Sequence, residues 1–184
     1  MHGFASILLV LAAVEPAGDC SMRLDGVADP PRFEEYRADI RPVTRQAGLI
    51  LATPEARRRR SLLASEAAQG PNFAGSYTIA AWGCGAACTA FAIIDARTGR
   101  IFFPAGLSRI AGHHVGHGAP GPLRYHALRF RADSRLLVVL GAPEGDDARH
   151  GASYFEWTGR ALRLLRFIPR AALCGAQEVR QSGL

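Results

Sequence analysis

The chain has 184 residues, of which 48% are apolar and 21% are charged, and this balance excludes a protein that is disordered throughout. The net charge is +6, all 22 basic residues are arginine, and no lysine occurs. Because the arginines are spread along the chain and form no stripe interleaved with aromatic residues, we predict no dedicated nucleic-acid-binding surface.

The first residues are typical of a signal peptide, which we place over residues 1–17. Phe4–Val14 is an apolar run of eleven residues, the length of a signal-peptide core and too short to cross a bilayer as a helix. Glu15-Pro16-Ala17 follows and supplies the small residue that cleavage requires. The region before the run carries no arginine, only His2. We predict export to the periplasm or to the outside of the cell, without a transmembrane span.

Four cysteines in a small exported protein predict two disulfides. Of the three pairings that four cysteines allow, we favour Cys84–Cys88 as a local loop and Cys20–Cys174 as a link between the two ends of the mature chain. Two alternatives stay open. Cys20 could be a lipid-anchored cysteine, since it follows the apolar segment at a suitable distance. Cys84 and Cys88 could ligate zinc, although no second pair follows at zinc-site spacing.

Residues 18–52 are predicted to form an N-terminal extension of mixed character. Within this extension, Phe33–Tyr36 favours one helical turn and Gly48–Ala52 favours a short buried strand. A helix is predicted over residues 54–68, because Thr53 is a good N-cap, a proline suits the first helical position and a Gly-Pro pair ends the run.

Arg57–Arg60 lies within this predicted helix and is the densest positive charge in the sequence. Four consecutive residues span a full helical turn and cannot share one face, so we expect a solvated helix surface. The alternative is a polyanion-binding site at Arg57–Arg60, whose affinity would fall steeply with salt.

The segment from residue 53 to residue 184 predicts a single β-rich domain, because its strand-like runs are short and bounded by turn residues. These runs are Ser76–Trp82, Thr89–Ile94, Arg100–Phe103, His126–Arg131, Arg135–Leu140, Ala152–Trp157 and Ala161–Phe167. The turns Asp95–Gly99, Ala132–Ser134 and Thr158–Gly159 each join two runs as a hairpin. The predicted fold class is α+β, mostly β, with an antiparallel meander of hairpins that forms a curved sheet or a small barrel-like domain.

Alternating residues in the last of these runs predict which side of the strand is buried. Leu162 and Leu164 alternate with Arg163, as expected for a strand of an antiparallel sheet that has one wet face. We therefore expect the two leucines to point into the core.

Three short motifs occur close together at Pro71–Tyr77, Trp82–Cys88 and Asp95–Gly99. Through them, the segment of residues 70–104 resembles a set of small, uncharacterised exported proteins of proteobacteria. In those proteins a Pro-Asn-Phe-x-Gly-x-Tyr strand start precedes a Trp-Gly-Cys-Gly element and an Asp-x-x-Thr-Gly element. The resemblance implies a periplasmic β-rich module and implies no particular activity.

The Trp-Gly-Cys-Gly stretch is the first candidate for a binding site. Gly83 and Gly85 give unusual backbone freedom to a loop that a disulfide would hold and that carries Trp82, with Tyr77 on the strand before it. The alternative is that Trp82 packs in the core and that the two glycines only allow a tight bend.

A cluster of three histidines provides the best candidates for metal ligands: His113, His114 and His117. On a helix, His113 and His117 would face one metal ion, but the surrounding glycines and prolines favour a loop. An envelope hydrolase or metal-binding protein that uses this loop is one alternative function. Its further members would be His126, Asp146 and Asp147.

No set of residues in the sequence has the spacing of a known catalytic motif, so we predict a non-enzymatic, exported binding protein that needs no cofactor. Its expected partner is another envelope protein, as for an inhibitor or an immunity-type protein. Tyr154 belongs to this prediction, because Gly151–Tyr154 resembles the short Ser-Gly-x-x-Tyr loop with which periplasmic lysozyme inhibitors plug the lysozyme cleft.

Overall fold

The computed structural model describes residue 22 and residues 24–25, 27–40, 42–43, 45–112 and 127–174. The predicted signal peptide and Cys20 lie outside the described residues. So do the four histidines of the alternative metal site, His113, His114, His117 and His126. Predictions that concern those residues therefore remain predictions.

The described residues form one open antiparallel sheet of eight strands. The strands are β1 (Tyr77–Gly85), β2 (Cys88–Asp95), β3 (Ile101–Phe102), β4 (Ile110–Ala111), β5 (Leu128–Arg129), β6 (Leu136–Pro143), β7 (Gly151–Trp157) and β8 (Leu162–Pro169). Their order is β1-β2-β4-β6-β7-β8, with β3 beside β2 and β5 beside β6. The predicted fold class is confirmed, and so are the three predicted hairpins, which join β2 to β3, β5 to β6 and β7 to β8.

The helices are short and lie before and after the sheet. They are α1 (Pro54–Arg58), α2 (Arg60–Ala67) and α3 (Arg170–Cys174), with 3-10 turns at Phe33–Tyr36 and Asp147–Arg149. The hydroxyl of Thr53 accepts a 3.1 Å hydrogen bond from the Ala56 amide and caps α1, as the sequence predicts. The helix predicted over 54–68 is interrupted at Arg59, whose backbone (φ −105, ψ 15) is not helical. None of the described helices is long and apolar enough to cross a membrane.

The inner face of the sheet holds the largest set of buried aromatic and aliphatic side chains, which we call the inner cluster. It combines residues from both halves of the sheet: Phe73, Ile79, Ala81, Phe91, Ile93, Leu107, Ile110, Ala127, Leu128, Leu137, Val139 and Trp157, with Ala74 at its border. Strands at one end of the sheet can share a cluster with strands at the other end only if the sheet curves. The inner cluster therefore lies within the concave side.

The outer face of the sheet is covered by two different segments. Over β1 and β2, α1 and α2 bury Ala56, Leu63 and Ala67 against strand residues that include Trp82. Over β6 and β7, the cover consists of described residues between positions 22 and 36, Met22 and Tyr36 among them, together with Leu173 of α3. Described parts of the predicted N-terminal extension are thus packed directly on the sheet.

The Pro71–Tyr77 and Asp95–Gly99 motifs have clear structural roles. The Asn72 side chain accepts a 2.8 Å hydrogen bond from the Ile79 amide and donates a 3.3 Å bond to the Ile79 carbonyl, so it pairs with the free edge of β1. Asp95 accepts hydrogen bonds from the Arg97 amide and the Thr98 hydroxyl, at 2.9 and 2.8 Å, and so fixes the turn after β2. Backbone geometry therefore accounts for these two motifs.

One predicted strand is wrong. Gly48–Ala52 is not a strand in the structure. It runs beside the turn after β2, where the Ile50 amide donates a 2.8 Å hydrogen bond to the Gly99 carbonyl. Together with a 3.0 Å bond from the Ala47 amide to the Ala96 carbonyl, this bond fixes the position of the segment without a continuous ladder. The sequence also did not predict β4 or α3.

Candidate functional site

The Trp-Gly-Cys-Gly stretch forms the tip of the β1–β2 hairpin, and the predicted Cys84–Cys88 disulfide closes this tip. Gly83 and Gly85 are exposed, and the φ of +138° at Gly85 favours glycine. Trp82, in contrast, is only 7% exposed and lies in the cluster beneath α1 and α2. The tip therefore does not present Trp82 to a partner.

The Trp82 ring is covered by Arg59, whose guanidinium carbon lies 4.4 Å from the ring centroid. The interruption of the helix at Arg59 coincides with this cation–π contact. The ring nitrogen of Trp82 is buried and has no hydrogen-bond partner in the part of the chain that the structure describes. Trp82 is therefore a packing residue of the outer face.

Three residues of Arg57–Arg60 make contacts within the chain. Arg57 donates to the carbonyls of Leu51 and Ala52, both at 3.1 Å. Arg58 and Arg59 both bind the Glu55 carboxylate, and Arg58 lowers the pKa of Glu55 most, followed by Arg59. These contacts take up much of the positive charge that a polyanion would need.

Tyr154 lies inside β7, on the outer face, and is 2% exposed. Burial raises the pKa of its hydroxyl. Residues Gly151–Tyr154 are all buried within this strand. They therefore cannot act as an exposed loop that plugs an enzyme cleft.

Asp146 and Asp147 lie in an exposed turn before β7. The Asp146 carboxylate accepts a 3.0 Å hydrogen bond from the Ala148 amide and caps the 3-10 turn there. Among the described residues there is no group of three or more His, Cys, Asp or Glu side chains that could hold a metal ion. The other candidates for the alternative metal site lie outside the described residues, so the structure does not bring them to Asp146 and Asp147: His113, His114, His117 and His126.

Tyr77 contributes to a row of aromatic rings on the inner face of the sheet. The Tyr77 ring meets the Trp157 ring edge to face at a centroid distance of 5.3 Å, and the Phe102 ring meets it edge to face at 5.2 Å. Trp157 is 1% exposed, and its ring nitrogen is buried without a hydrogen-bond partner among the described residues. This row ends at an open groove.

The groove lies between the inner face of the β7–β8 hairpin and the segment that follows β3; we call it the aromatic groove. Its first part encloses about 440 Å³. It is lined by Ile101, Phe102, Phe103, Pro104, Ala105, Leu107, Phe155, Trp157, Arg160, Ala161 and Leu162. A second part, of about 300 Å³, shares Ala105, Leu107 and Phe155 with the first and continues to Ser153, Leu164, Phe167 and Arg149. Cavities of this total size are typical of sites for small ligands.

The register of the β7–β8 hairpin explains why the groove is apolar. Ser153 pairs with Phe167, Phe155 with Leu164, and Trp157 with Leu162, so one face of the hairpin carries almost only apolar side chains. A register shift between Tyr154 and Phe155 keeps Leu162, Leu164 and Phe167 on that face. Leu164 is 55% exposed there. The expectation that Leu164 is buried is therefore wrong.

The charges of the aromatic groove are positive and lie toward its two ends. Arg160, in the turn after β7, belongs to the first part, and Arg149, before β7, belongs to the second part. The seven residues of β7 lie between them, so the two arginines are separated along the strand by about 20 Å or more. No carboxylate is among the described lining residues of either part. Arg149 donates a 2.9 Å hydrogen bond to the Gly106 carbonyl, and both arginines are exposed.

Tyr77, which the sequence predicted as a candidate binding residue, lies beside this groove. The groove itself was not predicted from the sequence. The alternation of Leu162 and Leu164 with Arg163 indicates an apolar strand face. It does not indicate whether another element covers that face. Comparison of the chain with protein-family models, curated proteins and solved structures found no match.

Proposed function

We propose that this protein is an exported binding protein and that the aromatic groove takes up a small amphipathic ligand. The observation that carries the proposal is an open, aromatic-lined cavity that ends in exposed Leu164 on the inner face of the β7–β8 hairpin. Binding of a ligand that removes such an apolar surface from water lowers the free energy of the system.

The groove is better suited to binding than to catalysis. Its described lining consists of apolar side chains, two arginines and Ser153. An arginine stays protonated at neutral pH, and a serine needs an adjacent base before it can act as a nucleophile. These residues can hold and orient a molecule, and their chemistry gives them no means to exchange protons with it.

Export is supported by the cysteines. Cys84 and Cys88 form a disulfide, and Cys174 is also disulfide-bonded. Disulfides persist in the periplasm and outside the cell, where no thiol pool reduces them. A binding protein for the cell envelope fits both this chemistry and the apolar run at residues 4–14.

A neutral, polarity-sensitive naphthylamine dye tests the proposal directly. We expect a saturable rise in dye fluorescence, with energy transfer from Trp157 at the side of the groove. Leu164→Asn should weaken dye binding about tenfold or more, because a buried leucine side chain contributes about 1.5–3 kcal/mol.

The matched control is Ile50→Asn, since Ile50 is an apolar residue of similar exposure, 49% compared with 55% for Leu164, and does not line either part of the groove. Thermal unfolding of both variants confirms that they are folded. Equal dye affinity in the wild type and both variants would show that the groove does not bind, and the proposal would then be rejected.

A further inference from the structure

The aromatic groove also indicates the class of its ligand. We infer that it binds a single acyl chain that ends in an anionic group, with the chain along the inner face of β7 and β8 and the anionic end at Arg160. This inference rests on the proposed function and adds the chemistry of the ligand to it.

The inner face of β7 offers no free backbone groups to polar atoms in the middle of a ligand. β7 lies between β6 and β8, and its backbone groups are engaged in the two ladders. An extended peptide bound over this face could not form hydrogen bonds with the β7 backbone, because those N–H and C=O groups are already paired. The N–H and C=O groups of the peptide would then lack partners in the strand. An acyl chain has no such groups, so it loses no hydrogen bonds with water when Phe155 and Leu164 surround it.

The shape of the groove also favours a linear ligand. Its two parts meet at Ala105, Leu107 and Phe155 and together follow the length of β7. A space that is elongated along a strand is filled by a linear chain and is left partly empty by a compact ring system. The exposed side of Leu164 would be covered only by a ligand that extends past Phe155.

The charge of the groove favours an anionic group at the end of the ligand. The charged side chains of the described lining are Arg149 and Arg160, and neither part includes a carboxylate. Arg149 is held by the Gly106 carbonyl, so Arg160 is the guanidinium more able to turn toward a ligand. Guanidinium groups bind carboxylates and phosphates through two parallel hydrogen bonds. Because Arg160 is exposed, the anionic end would stay at the water boundary and would avoid the cost of burying a charge.

The experiment is displacement of the naphthylamine dye from the folded protein by saturated carboxylates of eight to fourteen carbons, each below its micelle concentration. We expect affinity to rise about fourfold for each added methylene until the groove is full, the factor that corresponds to about 0.8 kcal/mol per buried CH₂. At a fixed chain length, carboxylates should bind more tightly than methyl esters, and alkylamines should bind least.

Arg160→Ala tests the position of the anionic end. This substitution should weaken carboxylate binding about tenfold, the low end of the range for a hydrogen bond to a charged group, and leave the methyl ester unchanged. Arg60→Ala is the matched control, because Arg60 is also an exposed arginine but lies at the start of α2 on the outer side. Comparison of alkyl phosphates with carboxylates then identifies whether the natural anion is a phosphate or a carboxylate.

The outcomes separate the two proposals. If the dye does not bind, the proposed function fails. If the dye binds but carboxylate, ester and amine displace it equally, the inference about the ligand is overturned while the groove remains a binding site. Displacement by an apolar peptide that is stronger than displacement by every acyl chain would also overturn the inference.

Discussion

The β1–β2 and β7–β8 hairpins are similar in construction and differ in what covers them. Both are antiparallel pairs of seven to nine residues per strand, and both have an outer face buried by helices or by the N-terminal segment. On the inner face, β1 and β2 are covered by β6 and Trp157, whereas Leu164 of β8 is exposed. An apolar strand face therefore predicts burial only if another element is present to cover it.

Substitution by alanine on the two inner faces should give the largest difference in stability between the two hairpins. Phe91→Ala on β2 should lower the free energy of unfolding by about 3–5 kcal/mol, because Phe91 is 1% exposed and leaves a cavity in the inner cluster. Leu164→Ala on β8 should change it by about 0.5 kcal/mol or less. Urea unfolding measures both values. Similar losses for the two variants would mean that the two hairpins are equally buried in solution.

The turns of the two hairpin regions provide the next test. Gly99, in the turn after β2, has φ +74°, and a Cβ there would collide with the Gly48 carbonyl. Gly159, between β7 and β8, has φ +88°, but a Cβ would meet only the Tyr77 hydroxyl at an ordinary 3.5 Å. Both alanine substitutions incur the cost of left-handed backbone, about 1–3 kcal/mol, and Gly99→Ala adds the collision. In thermal unfolding, the melting temperature of Gly99→Ala should be well below that of Gly159→Ala. The reverse order would contradict this prediction.

The disulfide at the tip of the β1–β2 hairpin should have a smaller effect. Replacement of Cys84 and Cys88 by alanine opens a loop of five residues. Since a short loop loses little entropy on closure, we expect a loss of about 2 kcal/mol, with the sheet intact by circular dichroism. The β1–β2 ladder continues from Gly83 to Tyr77 without the bridge. Unfolding of the double variant at room temperature would show that the ladder depends on the disulfide.

The smallest expected effect concerns pH and the helical cover of the β1–β2 hairpin. Hydrogen bonds from Arg58, and then from Arg59, lower the pKa of Glu55 below its usual 4.5. A carboxyl with a lowered folded-state pKa stabilises the fold above about pH 4.5, and this contribution disappears as the pH falls through the lowered value. The pair is partly exposed, so the contribution should be below about 1 kcal/mol.

Glu55→Gln should therefore be less stable than the wild type at pH 7 and nearly equal to it at pH 3. Chemical denaturation at the two pH values measures the difference. If the difference in the free energy of unfolding between the two proteins is the same at pH 3 and pH 7, the Glu55 carboxylate is not the source of this pH dependence.

Local patterns explain what could be predicted from the sequence. Thr53 followed by proline fixes a helix start within one turn, and Asp95 fixes a hairpin turn through hydrogen bonds to residues two and three positions away. Such features depend only on residues that are neighbours in the sequence. The succession of antiparallel hairpins along the chain could therefore be predicted from them.

The rest depends on contacts between distant residues. β4 has only two residues, and it is a strand because β2 and β6 pair with it on both sides. Trp82 is a core residue because α1 and α2 fold over it, which no local pattern shows. The aromatic groove depends on which apolar face remains uncovered after folding, and Leu164 looks the same in the sequence as a buried leucine.

The cover over the outer face of β6 and β7 has a consequence for the order of folding. Met22 and Leu173, about 150 positions apart in the chain, belong to the same buried cluster. A chain that emerges from its N-terminus cannot complete this cluster until α3 has emerged, and contacts of such long sequence separation slow folding. The outer face of β6 and β7 would therefore stay partly uncovered until α3 has been synthesised, while the inner cluster contains no residue of α3.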